Sequence, residues 1–367
     1  MKTATCLLML LACLGPVWAG PADSPRGAGP PAPPPAGLNP KLQAPINSWD
    51  EAVPLGNGLL GGLLWGQDNL LRLSLDRGDL WDERPATGIR LEEFNWPNII
   101  QLVRAGKAGE ANRIMDHPYS QPHPTKLPGG RLEIELPAGT KLTAFELDLA
   151  TAQGYAWLAD GNKAEVFFSA VKPVALLRIP GPEVKGLKLV TPFGQAQTGD
   201  SGPNSAAARA LGYPAAKFSS EGAASWYVQE AAEGLSYCVC AGSKRAADHT
   251  LLAVTVTSTA DGPGFVDLAK RRVAEALAAG YAAMLEPHVA WWKAFWAKSS
   301  VTLPETEYAI LRQYYLVRYF YGAASRKGAP PMPPSAGLDT VTAAPSYVRP
   351  ICSPLPSPMA VSRPRLS

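Results

Sequence analysis

The feature that most constrains the fold is a series of short apolar or alternating runs between residues 55 and 259, separated by turn residues. Residues 70–75 and 131–136 alternate apolar and polar side chains. A period of two places the apolar side chains on one face of a strand, which is typical of antiparallel sheets that cover a core on one side.

One hairpin and several further strands follow from the same pattern. Residues 155–158 and 164–168 flank Asp160-Gly161-Asn162, a sequence with good hairpin-turn chemistry. The other strands are predicted at residues 174–179, 187–190, 225–230, 235–240 and 250–258. So many strands favour a large antiparallel sandwich of two sheets, so the chain is expected to be mainly β.

Helical patterns interrupt and follow these strands. Pro97 stands at a first helical position and precedes apolar residues at loosely helical spacing. Residues 266–298 then carry an apolar residue about every four positions, which predicts a long amphipathic connector with a kink or break at Pro287. A further helix after Pro304 is apolar on nearly every side, so it requires burial by neighbours that this chain is too short to supply.

Composition separates the tails from the middle. Of 37 prolines, ten precede residue 46 and ten follow residue 329. A hydrophobic content of 46% with 18% charged residues suits a globular protein, and no apolar run beyond the first 20 residues could span a membrane. The net charge of +3 without a dense basic run gives no reason to expect nucleic acid.

The N-terminus has the features of an exported protein. Residues 1–19 have the pattern of a signal peptide, and residues 20–45 are predicted to be a proline-rich disordered leader. Cys13 also lies in a lipobox-like sequence, so a lipoprotein anchor is the alternative to plain secretion. The expected location is secreted or periplasmic.

Cysteine and histidine give no sign of a metal or cofactor. Cys238 and Cys240 lie two apart in an alternating segment, where one strand face holds both and geometry disfavours a bridge between them. Neither this pair nor the four histidines show a ligand spacing. We therefore expect no metal, no cofactor and no disulfide framework.

Two ordered motifs, in residues 49–61 and 72–82, resemble the start of family 95 glycoside hydrolases. These are inverting 1,2-α-L-fucosidases and α-L-galactosidases, and the first motif is similar to their W-x-x-A-x-P-x-G-N-G-x-x-G pattern. The second motif departs from the family's commoner Asn-Glu-Asp-Thr-Leu-Trp form, which leaves the preferred sugar open.

The resemblance implies a β-supersandwich, a helical linker and an (α/α)6 barrel that holds the active site. The chain would carry the supersandwich in residues 46–262, the linker in 263–303 and the first helix of a truncated barrel in 304–329. Residues 330–367 form a second proline-rich tail where the family has a Leu-Gln-Gly-x-Trp motif. Residues 335–339 can be back-translated so that a one-base shift encodes Leu-Gln-Gly-Trp, which suggests a reading-frame slip near Pro334. A genuine proline-rich tail is the alternative.

The catalytic groups of the family lie in its barrel, so we assign no catalytic residue. Trp81, Asp82 and Arg84 are the candidate sugar-binding residues, because an aromatic ring beside a carboxylate suits a pyranose. Four further positions are predicted to be structural: Trp49, Asn57, Asp76 and Asp79. Asn57 is expected to adopt a positive φ between two glycines, and the spacing of three in Asp76, Asp79 and Asp82 favours capping over an acid pair.

Two functions of different class follow. The first is the non-catalytic front part of an α-L-fucosidase-type glycoside hydrolase, whose partner is a fucosylated or galactosylated glycan. The second is a free-standing secreted sandwich that binds carbohydrate or protein without chemistry. The oligomeric state is left open.

Overall fold

Two antiparallel sheets dominate the computed structural model, which describes residues 32–87, 92–117, 121–181, 184–193 and 210–329. The larger sheet has nine strands in the order β1-β8-β9-β10-β11-β16-β15-β14-β13. These strands are β1 Lys41–Gln43, β8 Leu142–Asp148, β9 Gln153–Leu158, β10 Lys163–Phe168, β11 Ala175–Pro180, β13 Lys217–Glu221, β14 Ala224–Glu230, β15 Ser236–Arg245 and β16 His249–Ser258.

The smaller sheet has five strands in the order β12-β7-β4-β3-β2. They are β2 Val53–Gly56, β3 Leu60–Gln67, β4 Leu70–Arg77, β7 Arg131–Glu135 and β12 Gly186–Val190. A separate pair, β5 Trp81–Asp82 and β6 Thr125–Lys126, follows β4. The predicted antiparallel sandwich is thus confirmed, and so is the hairpin, in which Ala164 of β10 pairs with Ala156 of β9.

The main core lies between the two sheets. The smaller sheet contributes fully buried Leu71 and Leu73, and the larger contributes Phe145, Val166 and Leu177. Strand β4 alternates half-buried and buried residues along its whole length, as its sequence period predicts. Burial of each such side chain contributes about 1.5–3 kcal/mol to the free energy of unfolding.

Burial along strand β3 does not follow a period of two, because its glycines let the two sheets approach closely. A Cβ at Gly62 would lie 2.6 Å from the ring of Phe168 on the opposite sheet and 2.7 Å from the carbonyl oxygen of Ser74. Six of the eight residues of β3 are buried, so the strand reads as a continuous apolar run rather than an alternating one.

Five helices complete the described structure. They are α1 Trp96–Arg104, α2 Ala108–Asp116, α3 Phe265–Ala279, α4 Tyr281–Trp296 and α5 Tyr308–Ala324. Asn95 caps α1, since its side chain accepts a hydrogen bond from the backbone N–H of Asn98. None of the helices in the described ranges is long and apolar enough to cross a membrane.

The connector differs from the prediction at its break. Pro287 lies inside α4, and the chain breaks instead at Gly280, which adopts a φ of 84° between α3 and α4. A left-handed residue ends a helix more sharply than an internal proline, which mainly removes one hydrogen bond.

The leader also differs from the prediction. Residues 20–31 lie outside the described part, but Leu38 is buried in the main core. Lys41–Gln43 then pairs with β8 as an edge strand of the larger sheet. The prediction of a disordered leader is therefore wrong for residues 36–43. The sequence did not predict this, because one buried leucine and a strand of three residues give no clear pattern in a proline-rich segment. The predicted signal peptide and the predicted proline-rich tail after residue 329 lie outside the described residues.

Candidate functional site

Two of the three predicted sugar-binding residues, Asp82 and Arg84, come together at the short β5–β6 pair, whereas Trp81 points to the other face of β5. Asp82 is 1% exposed, and both of its carboxylate oxygens accept hydrogen bonds from Arg84. The Arg84 Nη2–Asp82 Oδ2 distance is 2.6 Å, and the Tyr213 hydroxyl donates to the same oxygen. Arg84 Nη2 also donates to the carbonyl oxygen of Leu211, so the pair ties β5 to a segment about 130 residues away.

Electrostatics keep Asp82 ionised. Burial by itself raises the pKa of Asp82, but hydrogen bonds from Arg84 and Tyr213 outweigh burial and hold that pKa below its usual value. A carboxyl group with a lowered pKa is a poor general acid, and both of its oxygens are already engaged. In this arrangement Asp82 acts as an anchor.

Trp81 precedes Asp82 in β5. Its indole Nε1 donates to the carbonyl oxygen of Gly78 at 3.0 Å, and the side chain is half-buried. The polar edge of the indole is therefore already engaged. Arg84, with 32% of its side chain exposed, is the accessible member of its pair with Asp82.

The neighbouring aspartates surround a buried arginine. Arg77 is 3% exposed and forms two hydrogen bonds with Asp79, at 2.6 and 2.8 Å. It also contacts Asp261 and donates to the carbonyl oxygen of Val256, both next to the end of β16. Asp76 accepts from the backbone N–H of Arg77 and from Lys126. These carboxylates neutralise cations across the two sheets and leave no free acid pair among them.

The first motif forms a turn that joins both sheets. Asn57 Oδ1 accepts from the backbone N–H groups of Leu59 and Leu60, and its Nδ2 donates to the carbonyl oxygens of Ser169 and Lys172. The positive φ expected at Asn57 is wrong, because it is Gly58 that adopts a φ of 87°. Asn57 thus contributes through its amide side chain. Trp49, in a single 3-10 turn, packs half-buried against the core.

The same turn receives the C-terminal end of α5. The backbone N–H of Gly58 donates to the carbonyl oxygen of Ala323 at 2.7 Å, and a Cβ at Gly56 would lie 2.6 Å from that oxygen. The Tyr319 hydroxyl donates to the carbonyl oxygen of Pro54. The two glycines are therefore required by the close approach of the helix, a role that the sequence pattern did not reveal.

Arg326 closes this junction and was not singled out from the sequence. Its guanidinium lies 3.4 Å from the ring centroid of Trp291 and donates to the carbonyl oxygens of Gly322 and Ala170. Burial lowers the pKa of Arg326 to about 10. A lone arginine carries no local signal, so only the fold could show that it packs beneath Gly58.

Helix α5 buries one side and exposes the other. Tyr315, Leu316 and Tyr319 are buried against the main core. The sandwich therefore buries more of this helix than the sequence analysis predicted. The opposite side exposes three apolar side chains, which we call the α5 stripe: Ile310, Val317 and Tyr321, between 38% and 60% exposed. Apolar side chains gathered on one exposed helix face are a feature of contact sites.

The described residues contain no group of three His, Cys, Asp or Glu side chains that could hold a metal ion. Cys238 and Cys240 are buried free thiols facing α3 and α4, and burial raises the pKa of Cys240 to about 12. The thiolate form that binds metals is therefore disfavoured at this position.

Two comparisons with known proteins found similarities to this chain. Residues 41–223 match the family model described as glycosyl hydrolase family 65, N-terminal domain. A solved structure described as a kojibiose phosphorylase from the human microbiome aligns with a TM-score of 0.44 and 10% identity, over 77% of this chain and 38% of that one. No curated protein matches. The family match supports a glycoside-hydrolase-like chain.

Proposed function

We propose that this chain is the non-catalytic N-terminal part of a glycoside hydrolase of the α-L-fucosidase type, as in family 95, and that it is exported. The observation that carries the proposal is the junction at Gly56-Asn57-Gly58. There the motif that resembles family 95 holds the end of α5, while the α5 stripe remains open for a catalytic domain.

The carboxylates support a non-catalytic role. Inverting hydrolysis needs a carboxylic acid and a base roughly 6.5–9.5 Å apart with room for water between them. Asp79 and Asp82 are instead committed to Arg77 and Arg84. Trp81, whose side chain is half-buried, is the residue that would contact the sugar when the catalytic domain is present.

Hydrolysis of aryl α-L-fucoside and aryl α-L-galactoside by the purified chain gives the first test. We expect no turnover above that of the Trp81→Ala variant. Turnover well above this control would contradict the proposal, because it would require a complete acid–base pair in the chain itself.

Complementation gives the sharper test. The chain would be co-expressed with the barrel of a family 95 enzyme from which the first helix has been removed. We expect fucosidase activity to return with the native chain and to be lost with Ile310→Glu, which places a charge in the α5 stripe. A matched change away from the stripe, Phe218→Glu, should keep the activity, since Phe218 is similarly exposed at 56%. Failure of the native chain to restore activity would contradict the proposal.

The second candidate is a free-standing sandwich that binds carbohydrate without chemistry. The half-buried Trp81 ring and the partly exposed Arg84 side chain favour it. Glycan binding that needs no complementation and is lost in the Trp81→Ala variant would select this function over the first.

A further inference from the structure

The outer face of the nine-stranded sheet is divided into a covered and an open half. Helices α3 and α4 cover β15, β16 and part of β11, where Cys238, Cys240 and Leu251 pack against Val273 and Leu277. Strands β1, β8, β9 and the start of β10 form the other half, where most outward residues are half-buried or exposed, while Ala144 and Gln153 are buried.

Two aromatic side chains lie in this open half. Tyr155 and Trp157 occupy alternate positions on β9, whereas Ala156 and Leu158 between and after them are buried in the main core. The two rings meet edge to face with centroids 6.4 Å apart. Trp157 Nε1 donates to Glu146 Oε2 at 2.9 Å, which fixes the orientation of the indole.

Charged side chains of both signs surround the two rings. Lys163 Nζ lies 3.4 Å from the centroid of Tyr155, and Lys41 Nζ lies 5.2 Å from that of Trp157. Lys41 pairs with Glu146 and Lys163 pairs with Glu165, each at 3.7 Å. We call these six residues the β9 aromatic face: Lys41, Glu146, Tyr155, Trp157, Lys163 and Glu165.

We propose that the β9 aromatic face binds a neutral carbohydrate chain. The C–H side of a pyranose packs on an aromatic ring, and each hydroxyl can both donate and accept hydrogen bonds. Adjacent ammonium and carboxylate groups therefore suit a polyol. The same balance of charges disfavours a polyanion such as a nucleic acid, because each lysine already has a carboxylate partner. The two pairs are long, at 3.7 Å, and their lysine side chains are 54% and 30% exposed, so each ammonium group can turn toward a ligand hydroxyl.

This inference goes beyond the proposed function and does not depend on it. The β9 aromatic face includes neither Trp81 nor any residue of α5. It would bind a glycan whether or not the chain serves a catalytic barrel, and the Trp157→Ala variant tests it without altering Trp81 or α5.

Affinity electrophoresis of the full chain tests the proposal. Native gels would be cast with xyloglucan or galactomannan as neutral probes and with polygalacturonate as an acidic one. We expect retardation by a neutral polysaccharide that persists in about 0.5 M NaCl, where surface charge pairs are largely screened. No retardation by either neutral probe, or retardation by polygalacturonate alone that salt abolishes, would overturn the proposal.

Variants locate the binding surface. Trp157→Ala should weaken retardation at least about ten-fold, as loss of a central aromatic contact does. Trp96→Ala should leave it unchanged, because Trp96 is 72% exposed on α1 and outside the β9 aromatic face. Equal binding by Trp157→Ala and the native chain would refute the site. If Trp157→Ala does not fold, as judged by its melting temperature, Tyr155→Ala replaces it with the same expectation.

Discussion

At the residue scale, the buried charges of this chain are paired at close range with groups that are distant in sequence. Arg77 joins β4 to Asp261 beyond β16, and Asp82 joins β5 to Tyr213. Removing one partner of such a pair leaves the other charge buried without compensation, which costs more than the pair itself contributes. These residues are therefore expected to control stability more than ligand contact.

The Asp82 pair gives a prediction about stability. Asp82→Asn should lower the free energy of unfolding by about 1–3 kcal/mol, because a neutral amide replaces the buried carboxylate that accepts from Arg84 and Tyr213. Asp76→Asn is the matched control and should cost less than about 1 kcal/mol, since the Asp76 side chain is 43% exposed. Urea unfolding of both variants checks this, and similar losses would show that Asp82 is not an anchor.

Gly58 gives a second prediction at this scale. A Cβ at Gly58 would lie 2.0 Å from Cγ of Arg326, and the φ of 87° is strained for any other residue. Gly58→Ala should cost about 1 kcal/mol from the backbone and about 1–3 kcal/mol more from overpacking against Arg326.

Gly139→Ala isolates the backbone contribution in that experiment. Gly139 has a φ of 86°, but a Cβ there would meet nothing within 4 Å. Thermal or chemical unfolding should show the larger loss for Gly58→Ala. Equal losses would mean that the end of α5 does not pack on the turn.

At the element scale, a buried histidine attaches α4 to the larger sheet. His288 Nδ1 accepts from the backbone N–H of Ala170, and Nε2 lies 2.7 Å from the carbonyl oxygen of Thr151, to which it donates in the neutral tautomer that fits both bonds. The ring also contacts Phe167. Helix α4 is thereby fixed at a middle position as well as by Trp292 and Trp296 at its C-terminal end.

This histidine makes stability depend on pH. Burial lowers the pKa of His288 to about 4, whereas the unfolded chain takes up the proton near its ordinary value of 6.5. The neutral His288 side chain therefore makes its full contribution to the free energy of unfolding above pH 6.5. This contribution falls as the pH drops toward 4, by about 3 kcal/mol in total. The His288→Asn variant should have a lower free energy of unfolding than the native chain at neutral pH. Between pH 6.5 and 4 its free energy of unfolding should fall less than that of the native chain. An unchanged pH dependence in this variant would contradict the prediction.

At the scale of the whole molecule, the sandwich packs on one side of α5 and leaves the α5 stripe uncovered. Apolar surface exposed in this way drives association when no specific partner is present. The purified chain should therefore self-associate as its concentration rises. The double variant Ile310→Gln, Tyr321→Gln should remain monomeric to higher concentration in sedimentation velocity, without a lower melting temperature. Phe218→Gln serves as the control and should behave like the native chain.

The strands could largely be predicted, because alternation is a local property of the backbone. β4 and β7 follow a period of two, and the β9–β10 turn has Gly161 at a φ of 85° as its chemistry indicates. β1 and β3 could not, since one is three residues long and the other replaces alternation with glycines. The break at Gly280 was missed because an internal proline gives the stronger local signal.

Only the contacts between residues close in sequence could be predicted in the candidate site. Asp82 and Arg84 lie two residues apart, so their proximity follows from the sequence, whereas Tyr213 and Leu211 reach them only through the fold. Asn57 illustrates the same limit. Asparagine tolerates a positive φ nearly as glycine does, so the local sequence cannot tell which residue of Gly56-Asn57-Gly58 adopts it.

The sequence by itself determined the class of the protein, since side-chain period, turn residues and the ordered motifs of residues 49–61 and 72–82 all depend on neighbouring positions. Only the tertiary structure decided which charges neutralise one another, why two glycines must lie beneath α5 and which half of the larger sheet stays open. These depend on strand order, and strand order joins residues such as Arg77 and Asp261 that no local pattern connects.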